Sequence, residues 1–337
     1  MTVTRETVVA HLDALAKPQG SMGHLEELAI RLAVVQQSLQ PITRPRRMTL
    51  FAADHGVVES GVSAWPSAVT TVMMETIIAQ KATSTALAAA QDVDVRLVDM
   101  GTIVPPAADR SSKRFRDARI AAGTANLALG PAMTKAQFQR AWAAGEEEAI
   151  RAQDHGHMLL MAGEMGIGNT TPAACLTMLL TGSDANVATG RGAGADDAIL
   201  AKKRDIVARA TGRAASIFDE DPMTAIAALA GFEIAAMAGY FAQGARQGST
   251  LLLDGYVSTA AALIAEQLSP GSVQQMIAAH LSAEPGHQAA LDHLGLEPLL
   301  EWQMRLGEGT GALVAVPMLD SAAALLGDVA RLADILP

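Results

Sequence analysis

The chain is poor in aromatic residues: 6 Phe, 3 Trp and 2 Tyr make up 3% of its 337 residues. Its core must therefore be assembled from Ala, Leu, Val, Ile and Met, which favours closely packed helices over a β-sandwich. The single cysteine, Cys175, excludes an intramolecular disulfide and fits a reducing compartment. Basic residues never gather into a long run and the net charge is −10, so nucleic acid is excluded as a partner. No run of about 18 uncharged apolar residues marks a membrane span. The opening "MTVTRETVVAHLDALAK" is amphipathic but contains acids and lacks a continuous apolar stretch, so it does not read as a signal peptide. Together these absences predict a soluble, cytoplasmic protein.

What is present falls into three regions. At the start, "ETVVAHLDALA" places Val8, Val9, Leu12 and Leu15 on one helical face, and "GHLEELAIRLAVVQQSL" repeats the pattern after the break "KPQGSMG". "PITRPRRM" is a connector. Short apolar runs follow: "MTLFAA", "VDVRLV", "HMLLMA", "STLLL" and "VQQMIAA". Each ends in glycine with polar residues, such as Asp54-His55-Gly56, "GEMGIGNTT" and Asp254-Gly255. Strand-length runs alternating with Ala-rich helical segments predict a parallel sheet covered on both faces. Ligands bind beyond the carboxyl ends of such strands, where these polar residues collect. From about residue 288 the pattern returns to helix through "HQAALDHLGLEPLLEWQMRL" and "SAAALLGDVARLADIL". The expected organisation is a small helical domain built from residues 1–42 and 289–337, around an α/β domain at 43–288. "SSKRFRDARIAAGTANLALGPAM" reads as a long surface connection.

Two stretches carry the chemistry. In "GEMGIGNTTPAACLTMLL" the glycines permit tight turns, Thr171 suits an N-cap and Pro172 the first helical position. The amides at such a helix start bind anions, so Gly166, Gly168, Asn169 and Thr170 are candidates for holding a phosphate; a plain strand-to-helix turn is the alternative. Glu164 opens that loop. In "RLGEGTGALVAVPM", Glu308 stands between two glycines at the head of an apolar run, where a surface acid has no need of glycine and a core has no place for charge.

Weaker signals surround them. Lys203 and Arg191 can reach a phosphate or simply face solvent. Lys17 can meet a substrate anion or end a helix. His155 and His157 precede their strand, at the wrong end for the site, and read as surface histidines; no metal-ligand spacing is present. Cys175 reads as a buried small hydrophobe. Glu233, inside an apolar helix, needs a polar partner.

"KPQGSMGHLE", "ADHGV…GVSAWP", "GEMGIGNTTPAA", "LLDGYVSTAAAL", "HLSAEPGH" and "RLGEGTGA" occur in this order. The set resembles the nicotinate-nucleotide–dimethylbenzimidazole phosphoribosyltransferase family of the cobalamin lower-ligand pathway, from about residue 10 to the C-terminus. The resemblance implies a Rossmann-like parallel sheet flanked by helices, a small helical domain from both chain ends, and a homodimer. It implies transfer of 5-phosphoribose from nicotinate mononucleotide to 5,6-dimethylbenzimidazole, giving α-ribazole 5′-phosphate and nicotinate, without a metal or cofactor. Glu308 is then the general base and Glu164 a second active-site acid. Gly166, Gly168, Asn169, Thr170, Lys203, Gly309, Thr310 and Gly311 serve the phosphoribosyl group, and Trp65, Met73 and Leu306 the aromatic base. Some family members carry serine at the place of Trp65 and glutamine at that of Met73. These departures leave other benzimidazoles, adenine or a phenol open as acceptors.

The flanking glycines would let Glu308 approach the substrate without a clashing Cβ. Two other readings are a non-catalytic nucleotide-binding regulator and an NAD-dependent oxidoreductase; the latter needs a Gly-x-Gly-x-x-Gly turn that "AADHGVVESG" does not supply.

Overall fold

The computed structural model describes residues 2–107 and 112–335. Seven parallel strands form one sheet: β1 Arg46–Ala53, β2 Asp94–Gly101, β3 Phe115–Asp117, β4 Leu159–Met165, β5 Thr250–Leu253, β6 Met276–His280 and β7 Pro298–Leu300. Their spatial order is β3-β2-β1-β4-β5-β6-β7. The order reverses between β1 and β4, which opens a crevice at their carboxyl ends. All eight residues of β1 are buried, as expected for a strand covered on both faces.

The five apolar runs are β1, β2, β4, β5 and β6. Two short edge strands were not expected. β3 lies inside the stretch read as a surface connection, whose first residue, Ser111, falls outside the described residues; Phe115 tucks its ring into the core beside β2. β7 interrupts the expected C-terminal helix. That helix stops at Leu294 because Gly295 turns left-handed (φ 64°), and Pro298 cannot continue it. Residues 301–307 then run without regular structure until Thr310 starts the next helix.

Successive strand residues feed opposite cores. Phe51, Leu160, Ala162 and Leu253 face helices Lys135–Asp154, Thr170–Thr181, Phe232–Arg246 and Tyr256–Leu268. Met48, Leu50, Met161 and Leu252 face Arg5–Asp13, His24–Gln36, Thr83–Ala90 and Thr310–Gly327. Both chain ends therefore share one side of the sheet.

Among the described residues, one helix, Thr310–Gly327, is long and apolar enough to cross a membrane by length and composition. Here it is a core helix. Its Asp320 accepts from Arg46 Nη1 at 2.7 Å and from Thr43 Oγ1 at 2.6 Å, which ties it to the start of β1.

On the opposite side, helices Lys135–Asp154 and Phe232–Arg246 cross at backbone contact. A Cβ on Gly145 would lie 1.8 Å from the carbonyl oxygen of Ala236, and one on Gly239 would lie 2.1 Å from that of Trp142. Rigid backbone cannot yield as a side chain can. Gly145→Ala is expected to cost about 2–3 kcal/mol, read as a lower urea midpoint at unchanged slope.

Candidate active site

Beyond the carboxyl ends of β1, β4, β5 and β6 lies a cavity of about 530 Å³. Glu164, Asp254, His280 and Glu308 line it, with Trp65, Met73, Met165, Ile167, Val257 and Leu306 supplying apolar surface. Gly166, Gly168, Asn169 and Thr170 form one wall, and Arg191, Gly192 and Arg305 another.

The two acids meet because two backbones touch. At Gly163 on β4 a Cβ would lie 2.4 Å from the Gly309 nitrogen and 2.6 Å from the Glu308 carbonyl carbon. One residue along each chain, a Cβ on Gly307 would lie 2.3 Å from Glu164 Oε1. Gly307, Glu308 and Gly309 are consecutive left-handed residues, with φ of 86°, 56° and 73°. The glycines beside Glu308 supply left-handed backbone and let it press on β4, on the Glu164 carboxylate and on Met48, and Gly307 also lines the cavity.

Asp254, just past β5, fixes this arrangement. Its Oδ1 accepts from the backbone N–H of Gly311 at 2.7 Å and Ala312 at 3.2 Å, and its Oδ2 from Gly309 at 3.1 Å. A carboxylate on helix-start amides is favourable in charge and geometry. The amides of Gly309 and Gly311, two residues expected at the phosphoribosyl group, are taken by Asp254. The Thr310 hydroxyl is also engaged, donating to the Gly307 carbonyl at 2.8 Å.

The glycine turn after β4 leads into helix Thr170–Thr181 earlier than expected. Asn169 already has helical backbone (φ −61°, ψ −22°), so it, and not Thr171, stands at the N-cap. Pro172 falls at the third helical position, still within the turn whose N–H groups lack intrahelical partners. Thr70 Oγ1 accepts from the Ile167 N–H at 3.1 Å, and the Asn169 amide donates to Glu164 Oε2.

Lys203 is almost wholly buried behind this wall. Its Nζ donates to Thr170 Oγ1 at 2.7 Å and to the Gly190 carbonyl at 3.0 Å. Burial pulls its ammonium down to about 8, against the opposing pull of Glu284. Lys202 is exposed and extends toward Gly61, and of the two lysines it is Lys203 that bonds to the glycine-turn wall, from behind and outside the cavity lining. Arg191 sits at the cavity rim, paired with Asp197. Trp65 is half exposed and donates its indole N–H to the Ala193 carbonyl at 3.2 Å, across the mouth.

Other signals separate from the site. Lys17 pairs with Glu26 at 2.9 Å, and so braces its own turn. His155 and His157 lie at the amino end of β4; His155 is exposed, but His157, expected at the surface, is buried and donates to the Ala152 carbonyl at 3.0 Å. Cys175 is fully buried, which pushes its thiol up to about 12. Glu233 lies 2.9 Å from His55 Nε2, a buried pair beneath the glycine turn. Among the described residues, no group of three or more His, Cys, Asp or Glu has metal-binding geometry.

Sequence reasoning missed Asp254, Ser84, Glu284 and Arg305. Asp254 had a signal, its place at a strand's carboxyl end. Glu284 Oε1 accepts from the Gly192 N–H at 2.8 Å and Arg305 donates to the Gly192 carbonyl at 3.1 Å, contacts between segments far apart in sequence.

Burial and the nearby carboxylates of Asp254, Glu233 and Glu308 drive the Glu164 carboxyl up to about 8, with Asn169 opposing. Burial also raises Glu308; the Ser84 hydroxyl and N–H oppose that rise, and Asp254 adds to it. An acidic floor under apolar walls suits a flat, cationic ligand, and a glycine turn feeding a helix start suits its phosphate.

A doubly wound sheet with such a crevice belongs to the α/β proteins that handle phosphorylated small molecules. Comparison with known proteins narrows the class. Residues 2–335 match the model of a family described as phosphoribosyltransferase. Nicotinate-nucleotide–dimethylbenzimidazole phosphoribosyltransferase of Pseudomonas putida is 44% identical, over 96% of this chain and 92% of its own. The Thermus thermophilus enzyme of that name is 44% identical, over 94% and 92%. A crystal structure of CobT from Thermus thermophilus superposes with a TM-score of 0.92 at 41% identity, covering 97% of this chain and 96% of that one. The chain belongs to the nicotinate-nucleotide–dimethylbenzimidazole phosphoribosyltransferase family. The regulator and oxidoreductase readings find no support in these relatives.

The Glu164 carboxyl predicts a pH dependence. Between its ordinary value of 4.5 and about 8, the folded chain keeps a proton that the unfolded chain has lost. Its contribution to stability therefore falls as pH rises through that window and is level above it. Glu164→Gln removes the dependence. Thermal unfolding should show the variant gaining several degrees on the wild type from about pH 5 to about pH 8.

Proposed function

We propose that this protein transfers the 5-phosphoribosyl group of nicotinate mononucleotide to 5,6-dimethylbenzimidazole or a related base. The products are α-ribazole 5′-phosphate and nicotinate, for the cobalamin lower ligand. The observation that carries this reading is the convergence of Glu164 and Glu308 on one cavity, beside a glycine turn and helix start.

A benzimidazole is neutral and carries one N–H. As its other nitrogen attacks C1′ of the ribose, positive charge builds on the ring, and Glu308 accepts the proton. The departing pyridinium already holds its positive charge and is neutralised on leaving, so no acid is needed there. Glu164, close by, offsets the oxocarbenium-like charge on the ribose once it is ionised. Attack from the opposite face turns the β-nucleotide into an α-product, and holding both substrates in one cavity supplies much of the rate.

In this reading the phosphate sits at Gly166, Gly168, Asn169 and Thr170, with Lys203 steadying Thr170 from behind. Gly309, Thr310 and Gly311 shape the ribose end through Asp254. Trp65, Met73 and Leu306 receive the aromatic base, by stacking and thioether contact. We further read the protein as a cytoplasmic homodimer, with residues 1–42 and 289–337 forming a small helical domain beside the α/β domain. Exposed Trp302 and half-exposed Trp65 and Leu306, the latter two at the cavity mouth, suit cover by a second subunit.

Glu308→Gln should lower kcat by about 10²–10⁴-fold while nucleotide binding persists. Nicotinate release at saturating substrates measures it, and near-normal turnover would overturn the assignment.

A further inference from the structure

We propose that Ser84 is a positioning residue for Glu308, holding one carboxylate oxygen so that the other stays turned to the incoming base. This rests on the reading of Glu308 as the base.

The contact joins residues 224 apart in sequence: Ser84 Oγ donates to Glu308 Oε2 at 2.9 Å. Both side chains are withdrawn from solvent, Ser84 at 0% exposure and Glu308 at 4%, yet Glu308 lines the cavity. Oε2 takes the Ser84 hydroxyl, and the Ser84 backbone N–H faces the same carboxylate. The carboxylate is thus held from the helix side while Glu308 lines the cavity, where a substrate N–H would arrive.

Ser84 is the second residue of helix Thr83–Ala90, whose N-cap is Ala82. Alanine offers no side-chain oxygen to the helix-start amides, and no side-chain cap bond forms there. The Glu308 carboxylate arrives from the far end of the chain to stand at that positive helix end. Both the Ser84 hydroxyl and its backbone N–H favour the ionised form, against the effect of burial. Glu308 also sits in left-handed backbone, which an L-residue holds only when its surroundings insist.

The other charged or titratable groups on this part of the wall are Glu164 on β4, Asp254 after β5, His280 at the end of β6 and Arg305 in the loop before Glu308. Helix Thr83–Ala90, with the sequence TSTALAAA, brings no charged side chain. Its help to Glu308 is therefore the hydroxyl, the amide and the helix dipole. Removal of the hydroxyl makes the carboxyl harder to ionise and frees it to rotate.

The test compares wild type, Ser84→Ala and Ser84→Thr by nicotinate release across the pH range. Ser84→Ala should lose roughly 3–10-fold in kcat near about pH 6, and recover only the part of that loss due to ionisation near about pH 9. The nucleotide KM should stay put, and Ser84→Thr, which keeps the hydroxyl, should restore the profile. Carbon-13 labelling of glutamate, with Glu308→Gln to assign the signal, reads the Glu308 titration without any turnover. Its midpoint should move to higher pH in Ser84→Ala. No loss at any pH, or an unmoved midpoint, overturns the proposal. If the wild type releases no nicotinate, the functional reading falls, while the carbon signal still decides whether Ser84 holds the carboxylate.

Discussion

Backbone contact at Gly163 is the constraint on which the site depends. There the fourth strand in sequence meets the residues that open the last long helix, with no side chain between them. The contact sets a strand carboxylate beside a loop carboxylate and leaves a crevice in front of both. Asp254 then fastens the helix start from the neighbouring strand, so three segments of distant sequence share one geometry. Close approach of backbones is rigid, whereas an acid on a long side chain over a loose loop would wander by ångströms. Reaction geometry tolerates little such wandering.

Crowding acids has an electrostatic consequence. Glu164, Asp254, Glu308 and Glu233 repel one another in a poorly hydrated place, and each must find a donor or keep a proton. Asp254 finds helix-start amides and Glu308 finds Ser84, while Glu233 lies beside His55. Glu164 has mainly Asn169, and burial with the neighbouring carboxylates raises its carboxyl to about 8. The arriving positive charge of a pyridinium ring would favour its ionisation. The cavity thus holds different readiness for protons in neighbouring carboxyls, the pattern by which acid and base roles are divided in active sites.

Much of the fold was legible because its signals are local. Strand-length apolar runs ending in polar residues marked five of the seven strands, and helical spacing marked both N-terminal helices. The missed edge strands, Phe115–Asp117 and Pro298–Leu300, are three residues each, too short for a periodic pattern, and they exist because a neighbouring strand offers a free edge. In the site, Glu164 and Glu308 were legible because each stands among glycines. Asp254 was visible only as a strand's polar end. Ser84 carried no signal, since "KATSTALAAA" reads as any small-residue helix start and its partner lies 224 positions away. The Glu308 glycines were legible only in part for the same reason: sequence shows that close approach is permitted, but not every group that approaches.

The indole of Trp65 gives the cavity an optical property of its own. Of the three tryptophans, Trp65 lines the crevice, Trp142 bonds to Glu146 on a distant helix face, and Trp302 is exposed beyond the cavity. Emission from the first would be quenched or shifted by any flat ring stacked on it, while the other two provide a steady background. The residue that spans the mouth thereby makes occupancy of the aromatic subsite a fluorescence signal, available without label or substrate turnover.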